Sequence, residues 1–335
     1  MSTKEDQSAT QAVPHRNRRR LTGQQINEVG LAIALVLLVV ALSMISPYFA
    51  TQTNMWSILG NAATVGIVAF AATLVIVAGE IDVSVGPAVA LWGVTMAELA
   101  GTYGIPLPAA IVMTLVLGAL VGAGAGWVRA HYGVPSFIVT LGLWLAMRGL
   151  AQAIANSLPV PFPSSDFMAT LGGKIGPVFT ATIIMVVLYV VFAFIAGRTS
   201  YGRSVYAIGG NARAAALSGI NVTLIRVTLF ATTGLMAALL GIVFAGRLSS
   251  GNAGAAAGLE FDAIAAVVVG GTSLSGGRGS MLGTLLGVLF IAVIGNGLVL
   301  LGIDSNLQGV FRGVLIVGAV MVNNVIMTRR GEARR

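Results

Sequence analysis

Ten apolar runs, each of roughly 16–24 residues, follow one another along the chain at about 29–47, 55–78, 84–101, 107–128, 136–155, 177–197, 224–246, 258–273, 280–301 and 309–327. A helix that crosses the hydrocarbon core of a bilayer needs about 20 apolar residues. No single water-soluble core can absorb ten such runs, because cores stop growing beyond about 250–300 residues. Composition agrees: 56% of the 335 residues are hydrophobic and 9% charged, with a mean hydropathy of +0.92. The expected fold is therefore all-α, a polytopic membrane protein of about ten transmembrane helices. The third and eighth runs are short and Gly-rich, so they are expected to be broken or half-buried rather than simple spans. The 44 glycines suit helices that approach closely in lipid.

Charge sets the expected orientation. With the N-terminus placed on the cytoplasmic side and the runs alternating, the inner segments hold fifteen of the nineteen basic residues, including Arg16, Arg18, Arg19, Arg20, Arg129, Arg198, Arg203, Arg213, Arg226, Arg278, Arg329 and Arg330. That is the positive-inside pattern, and it puts both termini inside. Residues 1–25, ending in the basic HRNRRR stretch, read as a disordered cytoplasmic tail with no cleavable leader; residues 26–328 form the membrane domain, and 329–335 a second basic tail. The positive charges behind the net +8 collect in short stretches between apolar segments and at the two ends, which argues against nucleic acid as a partner. Membrane lipid is the expected surrounding. The lone Arg148 and Arg312 read as snorkelling residues near span ends.

Three polar stretches interrupt this pattern. The first is GEIDVSVGP, with Glu80, Asp82, Ser84 and Gly86. An acid at membrane depth must be paired, neutralised or facing water. Two readings stand open here: a short cytoplasmic turn whose acids are solvated or cap the next helix, or a polar break lining a translocation pathway or gate. The second stretch is the long inner segment 198–223, in which Asn211 reads as the N-cap of a short helix ending at Gly219. It is either an interfacial helix or a docking surface. The third, GLEFDAIAAVVVGGTSLSGGRG, carries Glu260 and Asp262, read as acids at a helix start near the outer surface, followed by Thr272, Ser273 and Ser275. Its Gly/Ser break resembles the first in style, as in transporters whose interrupted helices line the solute site.

Several functions are excluded. The chain has no cysteine and only two histidines, His15 and His131, so disulfides, redox centres and His- or Cys-based metal sites are not expected. No G-x-x-x-x-G-K-[ST] loop occurs; the two lysines are Lys4 and Lys174, and neither sits in such a loop. No catalytic residues are assigned, and the chain is not read as an enzyme.

The residues as a whole resemble the permease subunits of bacterial ATP-binding-cassette importers for monosaccharides, the group that includes ribose, xylose, arabinose and galactose permeases. The resemblance runs from about Tyr48 to Val325 and rests on the segments around GEIDVSVG, GVPSFIVTLGLWLAMRGLA, YGRSVYAIGGNARAAALSGINV and LEFDAIAAVVVGGTSLSGGRGSMLGTLLGVL. It implies a location in the bacterial inner membrane and a pore made with a second permease chain, identical or paralogous. It implies a cytoplasmic ATPase subunit that binds the ATP, so no cofactor is held by this chain, and an extracytoplasmic sugar-binding protein. It also implies that the ATPase is met by a coupling loop containing Tyr201, Gly202, Arg203, Gly209, Gly210, Asn211, Arg213, Ala214, Ala215 and Gly219. The chain departs from the family pattern at Ala212-Arg213, Ala216 and Leu307-Gln308-Gly309. Permeases of the same architecture for a branched-chain amino acid, a nucleoside or a furanose-like signal remain alternatives. So does an ion-coupled secondary transporter, in which Glu80 and Asp82 would serve the coupling ion.

Overall fold

A computed structural model describes residues 23–304 and, beyond them, helical positions at 307, 309–311, 313, 314, 317, 318 and 321. Most of the tenth apolar run, Arg312 and the two expected tails lie outside the described residues, although α1 already begins at Gly23, inside the expected tail. In chain order the elements are α1 (Gly23–Ile45), α2 (Gln52–Val77), α3 (Val85–Gly101), α4 (Leu107–Tyr132), α5 (Ser136–Ile154), β1 (Val160–Pro161), α6 (Asp166–Gly172), β2 (Lys174–Ile175), β3 (Val178–Phe179), α7 (Thr180–Arg198), α8 (Ser200–Leu217), α9 (Val222–Leu248), β4 (Ser250–Gly251), α10 (Leu259–Val269) and α11 (Met281–Leu300). Among these, α1, α2, α4, α5, α7, α9 and α11 are long and apolar enough to cross a membrane.

Side chains set several of the boundaries. Thr51, Thr199, Asn221 and Ser280 accept the orphan backbone N–H groups of Asn54, Gly202, Leu224 and Gly283 at the starts of α2, α8, α9 and α11. The small strands lie at the end of the bundle where α5 and α9 finish. There β1 pairs antiparallel with β4 (Val160 opposite Gly251), and β2 with β3 (Lys174 opposite Phe179).

The most apolar stretch of α2 is 89% buried, whereas those of α1, α4, α5 and α7 are 11–22% buried. So α2 is the axis of the bundle and the others face outward. Lipid gives helices no hydrophobic reason to associate, so they pack by close approach of small residues. Gly118, Gly122 and Gly126 form one stripe on α4. A methyl group added at Gly122 would lie 2.1 Å from the Phe230 carbonyl of α9, and one at Gly234 of α9 would lie 2.1 Å from the Gly118 carbonyl. The same seam joins α3 to α9, where a methyl at Gly241 would meet the Val89 carbonyl at 2.5 Å.

The short eighth run is a half-helix. After α9 the chain turns at Ser249 (φ 53°), forms β4 and runs without helix through 252–258 alongside α3, passing beside Gly93, Ala97 and then Gly86. Only then does α10 begin, and its 11 residues span about 16 Å, half of a bilayer core. Irregular backbone at this depth is tolerated where protein or a water-filled cavity surrounds it.

Candidate functional site: two polar breaks beside helix α8

The first break begins where α2 stops. Gly79 (φ 79°) turns the chain out of the helix, and the non-helical residues that follow take backbone partners from the start of α5. The Ile81 N–H donates to Ser136 Oγ (3.0 Å) and the Val83 N–H to Thr140 Oγ1 (3.2 Å). Neither acid of the break is solvated. Glu80 is 2% exposed. Its Oε2 accepts from Arg129 Nε at 2.8 Å, and its Oε1 lies 2.7 Å from Arg226 Nε, an ion pair whose N–H is not aimed along that line. Arg129 closes α4 and Arg226 opens α9, so the glycine seam between those helices brings both cations to one carboxylate. Two guanidiniums on one carboxylate leave the cluster one positive charge in excess.

Asp82 is held differently, by neutral donors. Its Oδ1 accepts from the Ser84 backbone N–H (2.9 Å) and hydroxyl (2.6 Å), and its Oδ2 from Thr233 Oγ1 of α9 (2.7 Å). These bonds fix the entry into α3. Asp82 and Ser84 also border a slot of about 10 Å³ between α3, α4, α5 and α9, room for about one water molecule.

Gly86 is a seat for a second buried acid. Glu260 is 1% exposed; its Oε1 accepts from Trp144 Nε1 (2.9 Å), and its Oε2 would lie 1.9 Å from a methyl group at Gly86. The acid read from sequence as lying near the outer surface is therefore enclosed, because the unwound 252–258 segment carries the start of α10 into the bundle. Arg148, read as a snorkelling residue, is likewise used inside: its Nη1 donates to the Ala253 carbonyl at 3.0 Å, one helical turn from Trp144. It is the thirteenth of the 19 residues of α5, half-exposed and about 9 Å along the axis from that helix's end.

The second break follows α10 and meets the first. The Gly277 N–H donates to the Val77 carbonyl at the end of α2 (2.8 Å), and a methyl at Gly276 would lie 3.0 Å from the Gly79 N and Cα. Thr272 is fully buried, Ser273 Oγ accepts from the Ser275 N–H (3.3 Å), and Ser275 itself is exposed.

Both breaks rest on α8. Helix covers more of the inner segment than its sequence suggests, running from Ser200 and broken once, at Asn211 (φ −162°, ψ 102°). Asn211 caps the second half, accepting from the Ala214 N–H at 3.0 Å, and Gly219 (φ 84°) ends the turn that follows. On the inner side Tyr201 Oη shares a hydrogen bond with Thr228 of α9 (3.0 Å), and Tyr206 Oη donates to the Gly279 carbonyl (2.9 Å). Burial pushes both phenols above their ordinary pKa, so both remain hydroxyl donors at neutral pH. Gly202 and Ala215 are buried, and Gly209 is the closest contact: a methyl there would lie 1.7 Å from the Val77 carbonyl and 2.5 Å from the Gly277 N. Arg203, Gly210, Arg213, Ala214 and Leu217 face away, exposed.

Thr233, Ser136, Thr140 and Trp144 complete these clusters, and none of the four stands out in the sequence. Ser136 and Thr140 lie in PSFIVT at ordinary helical spacing, and Thr233 sits in an apolar span. Only contact reveals their use.

Comparison with known proteins follows the same segments. Residues 54–320 match the family described as "Branched-chain amino acid transport system / permease component". The "Probable ABC transporter permease protein YphD" of Escherichia coli K12 is 51% identical over 317 residues, covering 95% of each chain. The "Ribose import permease protein RbsC" of the same strain is 40% identical over 92% of this chain and 97% of its own. Its "Xylose transport system permease protein XylH" is 34% identical over 84% and 87%. No solved structure matches. With the matched region spanning both breaks, α8 and the glycine seams, the chain belongs to the branched-chain amino acid transport system permease family.

Proposed function

We propose that this chain is the membrane-spanning subunit of an ATP-driven importer in the bacterial cytoplasmic membrane, and that with a second permease chain it forms the pathway for a monosaccharide. The family description names branched-chain amino acids, but the relatives whose names specify a solute name ribose and xylose, and this supports a sugar. An extracytoplasmic binding protein delivers the solute. ATP is bound and hydrolysed on a separate cytoplasmic subunit that docks on the exposed side of segment 198–223.

One observation carries this reading: Gly209 of α8 sits against the end of α2 and the second break together. A docked ATPase that shifts α8 therefore displaces both breaks at once. Glu80, Asp82, Ser84 and Gly86 on one side, and Thr272, Ser273 and Ser275 on the other, act as the inner gate. An ion-coupled transporter would give α8 no such task, and it would need solvent-reachable acids, whereas Glu80 is clamped by two arginines. Allosteric work of this kind requires contacts that differ between two states, and the breaks, which are irregular and lie against one another, are suited to rearrange.

The test is purification from native membrane in mild detergent, then reconstitution. Co-purification of an ATPase subunit and a sugar-binding protein, with uptake that needs ATP, supports the proposal, and the binding protein's ligand names the solute. A chain that purifies alone and drives uptake under a proton or sodium gradient overturns it.

A further inference from the structure

The outward faces of most described helices are what lipid requires. Val36, Leu37, Val40 and Met44 of α1, Val116 and Leu120 of α4, Leu141 and Leu145 of α5, and Val186, Val190 and Phe194 of α7 are all exposed. The outward positions of α2 are polar instead: Thr53, Ser57, Asn61 and Thr64 recur at spacings of four, four and three, one helical stripe. Asn61 and Thr64 meet Asp262 of α10 and Asn296 of α11 in an open groove of about 320 Å³, whose remaining walls include Val65, Ile291 and Ala292. Counted from the start of α2, Asn61 lies about 13 Å and Thr64 about 18 Å along the axis, near the middle of a 30 Å bilayer core.

An exposed carboxamide at that depth is costly against hydrocarbon, and polar intramembrane residues therefore face a water-filled cavity or protein. Groove chemistry narrows the occupant. Asn61 both donates and accepts. Thr64 donates to the Asn61 carbonyl at 2.7 Å and keeps its hydroxyl oxygen as an acceptor. The Asn296 amide is oriented by a reciprocal pair with Asn54 (2.8 and 2.9 Å). Paired donors and acceptors beside an aliphatic wall match a polyhydroxyl solute, whose hydroxyls do both and whose C–H face is apolar. The size falls at the low end of small-molecule sites.

We propose that the groove between α2, α10 and α11 is the mid-membrane station through which a monosaccharide passes, with Asn61, Thr64 and Asp262 as its hydroxyl-binding side chains. This rests on the importer reading above, in which a second permease chain walls the groove from lipid. The station lies on α2 and α10, the two elements that end in the polar breaks.

The chain's lack of cysteine makes the test direct. A methyl group added at Gly295, in the groove, or at Gly142, on the lipid face of α5, meets nothing within 4 Å. Gly295→Cys and Gly142→Cys would each be exposed, in the assembled importer in membranes, to a charged, membrane-impermeant methanethiosulfonate reagent. We expect Gly295→Cys to be modified at least tenfold faster. In the reconstituted importer, Asn61→Leu should lower the maximal rate of uptake of radiolabelled sugar, identified from the binding protein, at least tenfold. ATPase stimulation by loaded binding protein should be preserved, a split that loss of folding would not produce. Equal inertness of the two cysteines would place the groove in lipid and overturn the proposal. Fast labelling with unchanged uptake by both Asn61→Leu and Asp262→Asn would overturn it as well, leaving a water-filled cleft that binds no solute. Labelling needs no solute, so it stands apart from the importer reading, which fails instead if no ATP-dependent uptake is found.

Discussion

Two neighbouring glycines of α8 should behave oppositely, and the difference isolates how force enters the membrane domain. At Gly209 an alanine methyl would lie 1.7 Å from the Val77 carbonyl, where contacts below 3.0 Å essentially do not occur. The helix must therefore move by about 1.3 Å or more, away from the place where the Gly277 N–H meets that same carbonyl. Overpacking costs about 1–3 kcal/mol and a weakened backbone hydrogen bond about 1 kcal/mol. At 1.4 kcal/mol per tenfold, a total of about 2–4 kcal/mol depopulates the docked arrangement about 30-fold or more. At Gly210 an added methyl meets nothing within 4 Å, so even Gly210→Trp should leave the isolated permease with an unchanged melting temperature. Its bulk stands only in the way of a docked subunit. The assay is thermal unfolding of the isolated permease beside uptake and ATP hydrolysis in proteoliposomes holding the whole importer. Gly209→Ala should lower the permease's own stability and uncouple transport; Gly210→Trp should spare stability and lose both stimulated hydrolysis and uptake. Wild-type transport by Gly209→Ala, or a destabilised isolated Gly210→Trp, would refute the reasoning.

Three further substitutions probe the first break. Asp82→Asn can keep every bond, because the amide N–H2 donates to Thr233 while Thr233 turns to the Phe230 carbonyl, 2.9 Å away. The expected result is normal protein level in the membrane with impaired uptake, so full uptake by well-expressed protein would show that the charge is idle. Glu80→Ala leaves Arg129 and Arg226 together without their anion, and losing one partner of a buried ion pair costs about 3–5 kcal/mol. Arg129→Ala leaves Glu80 one cation and should cost less. Equal losses in thermal stability would mean that the triad is not a clamp.

The spans were legible because their signal is local. Nine of the ten apolar runs coincide with described helices; of the two short Gly-rich runs expected to be broken or half-buried, the eighth shrinks to the 11-residue α10, whereas the third is the unbroken, 17-residue and largely buried α3. Segment 198–223 is partly legible: Asn211 announces its cap, but Ser200–Gly210 is helical through packing against α7 and α9, which its own composition does not reveal. Glu260 does start a helix, as its sequence suggests, but its burial against Trp144 and the bond from Arg148 to Ala253 are not announced by their places in the chain. The unwound segment 252–258 packs alongside α3, so residues beside a loop in sequence lie inside the bundle in space. The glycine stripe at 118, 122 and 126 was visible as composition alone. That it steers Arg129 and Arg226 onto Glu80 depends on which helix lies opposite, and one sequence does not contain that pairing.

The stiffness of α2 connects these parts. From Val65 to Val77 it is enclosed on every side, so it cannot bend away from a load at its end, and close-packed interiors transmit strain rather than absorb it. In the proposed importer, a push by Gly209 on the Val77 carbonyl would be delivered as movement of the whole rod to Asn61, sixteen residues and about 24 Å away. The helix α11 must follow, since Thr73 and Thr284 share a 2.7 Å hydrogen bond and Asn54 and Asn296 are doubly paired. The half-helix α10 is held otherwise: its Glu260 is fastened to α5, while the break at its far end touches α8 through Gly277 and Gly210. One displacement of α8 therefore moves two walls of the groove together and strains the third against a fixed anchor. A groove whose walls move unequally changes shape rather than position, which is what release of a bound solute requires.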